Sequence, residues 1–367
     1  MFKKYELKNY RFSLVFLLIA LTGIGVLVVG SALESVQKKQ FIGMILGIIV
    51  MVVVSLLDYS YILRFYWIMY AISVILLIGV HLFGVSVNGS KRWLNIGFQF
   101  QPSEIAKVFL ILFFSRYFLL HKEHLNTFRR LCITAILMLF PVILIEEQPD
   151  LSTTITVCFV LCMLLFVAGL SYKIIGTVLA VVIPFAIVFL TIVTQPDQTL
   201  LENYQRDRIM AWLEPEKYAD STGYQQSNAI MAIGSGQLYG KGLNNNSITS
   251  VKNGNFIAEP ETDFIFAIIG EELGFVGSVT VIVLIGLIVF NCIMIGQRAK
   301  DLSGTLICVG MASLVGFQSF VNIGVATGVL PNTGIPLPFI SYGLTSLVSM
   351  YIGMGFVLNV GLQPKKY

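Results

Sequence analysis

The sequence predicts an all-α integral membrane protein of about ten transmembrane helices. Three observations predict it. Of 367 residues, 56% are hydrophobic and only 12% charged, with a mean hydropathy of +0.83; a soluble domain carries about 25% charged residues. Apolar runs such as 12–33, 41–57 and 279–295 are long enough to cross a hydrocarbon core of about 30 Å. Finally, Lys and Arg in the short connections divide unevenly between the two sides, which sets orientation.

Taken in order, the expected spans are 12–33, 40–57, 61–84, 103–120, 129–147, 151–170, 173–194, 264–292, 303–328 and 337–360. The first follows a basic stretch but shows no small-residue cleavage site, so it is expected to be a retained span rather than a signal peptide. One side holds Lys3, Lys4, Lys8, Arg11, Arg64, Arg116, Lys122, Arg129, Arg130, Lys173, Arg298, Lys300, Lys365 and Lys366. The other side's short loops hold Lys38, Lys39, Lys91 and Arg92. Both termini are therefore expected in the cytoplasm. The chain reads as a single membrane domain, 1–367, with 195–262 as one long extracellular loop between spans 7 and 8. In that loop Arg206, Ile209, Met210 and Leu213 recur at helical spacing, which predicts a short amphipathic helix on the membrane surface.

Composition also excludes. The five cysteines, Cys132, Cys158, Cys162, Cys292 and Cys308, lie in or beside apolar runs, against a disulfide framework or a zinc site. His81, His121 and His124 have no metal-ligand spacing. No basic patch interleaved with aromatics points to nucleic acid.

Five segments could carry chemistry. In EPETDFIFAIIGEELG, 259–274, the acids Glu259, Glu261, Asp263, Glu271 and Glu272 crowd the entry to an apolar helix. Thr262 or Asp263 as a simple N-cap is the plain account. Glu271 and Glu272 lie about 12 Å further along the axis, where ionisable groups are costly and need a partner. In QPSEIAK, Glu104 and Lys107 are three apart on one helix face; the choice is a self-neutralising ion pair or a charged site within the bundle. The preceding loop NGSKRWLNIGFQF brings Lys91, Arg92 and Trp93 to the same side.

In PNTGIPLPFISYG, 331–343, prolines and glycines interrupt apolar runs. Such backbone survives at membrane depth when it is buried or lines a cavity, and a plain proline-rich outer turn is the other account. In EEQPDLST, Asp150 is placed to cap the sixth span. In YQQSNAIMAIGSGQLYGKGL, 224–243, glycines allow close backbone approach to a ligand, and Lys241 could meet a phosphate. Carboxylates (Asp263, Glu104, Asp150) and cations (Lys107, Arg92, Arg206, Arg208, Lys241) thus converge on the outer face. A lipid-linked phosphate or pyrophosphate in the outer leaflet suits them; a cytoplasmic nucleotide does not.

The motifs NGSKRWL, QPSEIAK, QPDLST, RIMAWLEPEKY with GYQQSNAIMAIGSGQLYGKGL, ETDFIFAIIGEELG and PNTGIPLPFISYG occur in an order that resembles the SEDS family, the RodA/FtsW peptidoglycan glycosyltransferases. The resemblance spans nearly the whole chain. The short N-terminus is more similar to the elongation branch, RodA, than to the division branch. The resemblance implies ten spans and polymerisation of lipid II, an undecaprenyl-pyrophosphate-linked disaccharide peptide, outside the cytoplasmic membrane of a bacterium. It implies a class B penicillin-binding protein as partner. It makes Asp263 the catalytic residue, as base or as ligand of a divalent cation (Mg or Mn). It makes Glu104 and Lys107 the charged pair of the fourth span. Arg92, Trp93, Asp150, Arg206, Arg208, Lys241, Ser341 and Tyr342 complete the expected substrate site. One departure stands out: many members read GSS after SYG, and here Leu344, Thr345 and Ser346 follow.

The expected reaction joins a sugar hydroxyl to an anomeric carbon bearing a lipid pyrophosphate, with inversion. The alternatives are a flippase for the same lipid, a division- or sporulation-specific member, and a non-catalytic scaffold for the crosslinking enzyme. Glu271 and Glu272 are assigned to packing polarity or to partner coupling.

Overall fold

The computed structural model describes residues 7–87, 90–95, 97, 99–148, 150–193, 195, 203–218, 221–244, 250, 254 and 256–365. Lys3, Lys4, Lys366, Pro149 of QPDLST and much of the 195–262 loop, including most of its Asn-rich centre, lie outside the described residues.

Thirteen α-helices follow one another among the described residues: α1 Phe12–Ala32, α2 Glu34–Leu56, α3 Tyr59–Ile62, α4 Tyr66–Phe83, α5 Pro102–His121, α6 Phe128–Glu146, α7 Leu151–Ala168, α8 Tyr172–Val193, α9 Asn203–Leu213, α10 Tyr224–Ser235, α11 Ile265–Gln297, α12 Leu302–Ala326 and α13 Leu344–Gly361. Nine helical segments have the length and apolarity of a membrane span. The chain is a multi-pass membrane protein. The expected fourth span corresponds to α5, which is not among the nine; its 20 residues include Glu104, Lys107 and Arg116.

Local chemistry starts and stops these helices. Pro102 opens α5, where its missing N–H costs nothing. Asp301 caps α12 by accepting from Gly304 N. Gly169, at φ 103°, ends α7 in the left-handed conformation. In the bundle α2 packs along α13, α11 along α12, and α4 along α5. α5, α12 and α13 are the most enclosed, with Phe113, Phe114, Tyr117, Met311 and Tyr351 at 2% exposure or less.

Two expected span starts need correction. The second span starts at Glu34 rather than at 40. The last starts at Leu344 rather than at 337, because Pro336 and Pro338 keep the preceding chain out of a helix. That preceding stretch is nonetheless buried at Ile335, Leu337, Phe339 and Ile340, so it is an enclosed irregular segment and not an exposed turn. The loop carrying Arg92 is ordered as a three-stranded antiparallel sheet, β1 Val85–Val87, β2 Ser90–Asn95 and β3 Gln99–Phe100. Val85 pairs with Trp93 and Ser86 with Lys91.

The glycine-rich segment has a use the sequence reading did not foresee. Helix α11 breaks at Gly274, where φ is 66° and ψ −162°. A break there removes the helical bonds from Phe275 and Val276 to the carbonyls of Glu271 and Glu272. The chain at 237–242 replaces them. Phe275 N donates to Gln237 O at 2.8 Å and Val276 N to Leu238 O at 3.1 Å. Lys241 N and Gly242 N donate to Glu271 O and Glu272 O, both at 2.9 Å. A Cβ on Gly236 or Gly240 would collide with the carbonyl oxygens of Gly270 and Glu272. The close approach these glycines permit is therefore to α11, not to a ligand. Side chains reinforce the splice: Lys241 Nζ donates to Glu271 Oε1 at 2.8 Å, and Ser31 Oγ donates to Glu272 Oε1 at 2.7 Å.

Gly274→Ala should strain this splice, because a left-handed alanine costs about 1–3 kcal/mol and its Cβ would strike Gly240 N. The expected result is a lower melting temperature and faster proteolysis within 236–244. An unchanged melting curve would count against the splice.

Candidate active site

Four segments meet at one end of the bundle. They are strand β2, the start of α7, the connection 257–264 into α11, and the irregular segment 331–343. Interlocking hydrogen bonds hold them. Ser152 Oγ donates to Thr333 O. Ser341 Oγ donates to Thr262 O at 2.6 Å and accepts from Leu337 N at 2.7 Å. Tyr342 N donates to Glu261 O at 2.9 Å.

Asp263 lies in the middle of this assembly, half-buried. It does not cap α11: the N-cap position is Phe264, and no side chain caps the helix there. Thr262 turns its hydroxyl to Glu259 O instead. The simple capping account of these residues is therefore excluded. Burial pushes the Asp263 carboxyl up to about 6; Arg92 and Arg208 pull it down, and Glu259 and Asp150 push it up. Gly334 flanks the carboxylate: a Cβ there would stand 3.1 Å from Asp263 Oδ2.

Asp150 does two things. It caps α7 by accepting from Thr153 N at 3.1 Å, as its position in the sequence predicts. It also pairs with Arg92, whose Nη1 lies 3.8 Å from Oδ1. Asp150→Ala should therefore cost about 1 kcal/mol for the lost cap and release Arg92. A melting shift below that, with Arg92→Ala additive to it, would show that the two groups are uncoupled.

The other expected residues divide. Arg92 and Arg208 act electrostatically on Asp263. Trp93 sits on β2 beside Arg92, half-buried. Arg206 lies on α9, half-buried, with no hydrogen-bond partner for its Nε among the described residues. The α9 helix forms where the 3.6-residue spacing predicts, with Met210 buried but Leu213 47% exposed. Lys241 is paired with Glu271 in the α11 splice, so the structure ties it to architecture. The hydroxyl of Ser341 is used within the fold, and burial together with Glu261 raises the Tyr342 phenol.

Glu104 and Lys107 form their ion pair at 2.8 Å, 3% and 2% exposed. The largest charge effects on Asp263 come from Arg92, Glu259, Asp150 and Arg208. Lys107 instead lines a pocket between α5, α7 and α12 with Leu110, Ile111, Val157, Val160, Leu161 and Leu314.

Sequence reasoning missed one site residue, Asn322, and one tie from α10 to the end of α12, Gln226. Asn322 of α12 is 1% exposed, and its Nδ2 donates to Asp263 O at 2.8 Å and to Ile335 O at 2.7 Å. Gln226 of α10 donates to Val325 O and Leu330 O at 2.8 and 2.7 Å. A polar residue inside an apolar helix was the available signal in α12.

Among the described residues no group of three or more His, Cys, Asp or Glu could hold a metal ion. Asp150 already pairs with Arg92, and Asp263 is the carboxylate at the meeting of the four segments. These residues fit a divalent ion only if most of its shell comes from substrate oxygens and water, as Mg²⁺ commonly accepts.

Residues 6–366 match the family described as "Cell cycle protein", FTSW_RODA_SPOVE. The chain is 34% identical over 359 residues to the peptidoglycan glycosyltransferase MrdB of Escherichia coli strain K12, covering 96% of this chain and 94% of that one. It is 31% identical over 382 residues to the probable peptidoglycan glycosyltransferase FtsW of Bacillus subtilis strain 168, covering 99% and 93%. The fold is similar to a solved structure described as "Structural coordination of polymerization and crosslinking by a peptidoglycan synthase complex", with a TM-score of 0.80, 31% identity and coverage of 96% and 97%. It is also similar to the crystal structure of the rod shape determining protein RodA of Thermus thermophilus, with a TM-score of 0.70, 29% identity and 96% of each chain covered.

Proposed function

The chain belongs to the FTSW_RODA_SPOVE cell cycle protein family, and from that premise we propose that it is a peptidoglycan glycosyltransferase of the cytoplasmic membrane. It polymerises lipid II into glycan strands on the outer face, for elongation and cell shape, beside a class B penicillin-binding protein. The observation that carries the reading is Asp263, a half-buried carboxylate where four segments meet, with Gly334 beside it and the charges of Arg92 and Arg208 favouring its ionised form.

A hydroxyl of one sugar attacks the anomeric carbon of another. The new C–O bond forms as the bond from that carbon to the pyrophosphate oxygen breaks. Asp263 takes the proton from the attacking hydroxyl. An acid–base group of this kind contributes about 10²–10⁴-fold. The lipid pyrophosphate leaves with both electrons of its bond, and Arg92 and Arg208, whose charges act on Asp263, are the cations proposed to stabilise it. A donor aimed at developing charge is worth about 2.7–4 kcal/mol in a well-ordered site. If a divalent ion binds, Asp263 holds it, and the ion supplies charge to the pyrophosphate.

The test gives purified protein, with its penicillin-binding partner and the partner's transpeptidase blocked, lipid II and Mg²⁺ or Mn²⁺. Glycan polymer on a gel is the expected result. No polymer, with lipid II scrambled across the bilayer of liposomes, would overturn the reading in favour of a flippase.

A further inference from the structure

We propose that Asn322 is a positioning residue for Asp263, and that Gly334 completes the clamp that aims its carboxylate. The proposal rests on Asp263 acting in the reaction described above. Asp263 precedes α11 in a connection with no capping side chain, so its own helix does not fix it. Instead, the carbonyls of three successive residues are each taken by a donor from α12 or from the α12–α13 connection. Glu261 O accepts from Tyr342 N at 2.9 Å, Thr262 O from Ser341 Oγ at 2.6 Å, and Asp263 O from Asn322 Nδ2 at 2.8 Å.

Asn322 is the member that joins both walls. An amide nitrogen carries two hydrogens, and here they reach the main chain of two different connections, at Asp263 and at Ile335. A serine has one hydrogen to give, and an aspartate would place negative oxygen against two carbonyls. Among the described residues Asn322 Oδ1 has no hydrogen-bond partner, a cost that a side chain kept only for packing would not carry. Gly334, adjacent to Ile335, adopts φ +74° and leaves open the space that a Cβ would occupy 3.1 Å from Asp263 Oδ2. The main chain of Asp263 is thus tethered while its carboxylate lies over a bare backbone.

The experiment measures kcat and KM for lipid II, melting temperature and the pH–rate profile of Asn322→Ala and Gly334→Ala, with Asp263→Asn alongside. Misplacing a catalytic group by about 1 Å can cost about 10²-fold. Both clamp variants should therefore lose about 10- to 100-fold in kcat per folded molecule, with KM within about twofold; melting should fall as well, because Asn322→Ala leaves two carbonyls without their donor and Gly334→Ala puts a side chain at φ +74°. For Asn322→Ala the acid limb should move to lower pH, because a freed Asp263 reaches water while the charges of Arg92, Asp150, Glu259 and Arg208 still act on it; for Gly334→Ala it should move to higher pH, because the added methyl stands 3.1 Å from Oδ2 and displaces water. Wild-type kcat in both variants would overturn the proposal. So would a loss of rate that only tracks the loss of folded protein, with the acid limb unmoved. Should Asn322→Ala fail to fold, Gly334→Ala decides. If Asp263→Asn polymerises at the wild-type rate, the reading of the site falls and the clamp with it. If Asp263→Asn is inactive while both clamp variants match wild type, only the clamp falls.

Discussion

Asp263→Asn should form no glycan polymer while keeping its fold. The amide is nearly the size of the carboxylate, and the main-chain carbonyl that Asn322 holds is untouched. The substitution removes only the ability to take a proton or bind a cation. The expected loss is at least the 10²–10⁴-fold, about 3–5 kcal/mol, that a positioned base supplies. The wild-type pH profile should carry the same group. A base works only when deprotonated, and burial pushes the Asp263 carboxyl up to about 6. The rate should therefore rise with pH through about 6 and level off above it, rather than near the ordinary carboxylate value of about 4. Arg92 favours the charged form, so Arg92→Ala should move this limb upward as well as lower the plateau. Polymer assays on gels between pH 5 and 8 settle both points. Equal polymer from Asp263→Asn, or a wild-type rate flat across that range, would remove Asp263 from the chemistry.

What the sequence disclosed depended on the kind of signal. Long apolar runs mark spans whatever they pack against, so the helices of the bundle were readable to within a turn at most of their ends. The same signal misled at 337–343. Leu337, Phe339 and Ile340 are apolar because they are buried, not because they are helical, and Pro336 and Pro338 were the better guide. The β1–β2 hairpin carried its own sign, the Asn88–Gly89 dipeptide, which hydropathy does not weigh. Asp263 and Asp150 stood out as acids beside helix starts, and Asp150 caps as its position predicts. Lys241 looked like a free cation because its partner Glu271 is thirty residues away. The reason for the 236–242 glycines lay in a break within α11 that a single residue, Gly274, creates. Asn322 has no neighbours in sequence that explain it; only the meeting of two distant connections does.

Lys107→Ala should strongly destabilise the bundle interior. It leaves Glu104, 3% exposed, without the ammonium that Oε1 accepts from at 2.8 Å, and Oε2 already has no hydrogen-bond partner among the described residues. Breaking a buried pair in this way costs about 3–5 kcal/mol, whereas replacing both partners by apolar groups of similar volume is commonly neutral. The double variant Glu104→Leu with Lys107→Met should accordingly melt near wild type while Lys107→Ala melts well below it. That comparison also separates the two readings of the pair. Polymer formation restored in the double variant would show that the charges serve only each other. A folded double variant that makes no polymer would show that a charge on α5 acts in the reaction, beyond the span of the contacts around Asp263. A double variant as unstable as Lys107→Ala would contradict the self-compensating pair itself, and would place a further polar partner for Glu104 in the space between α5 and α12.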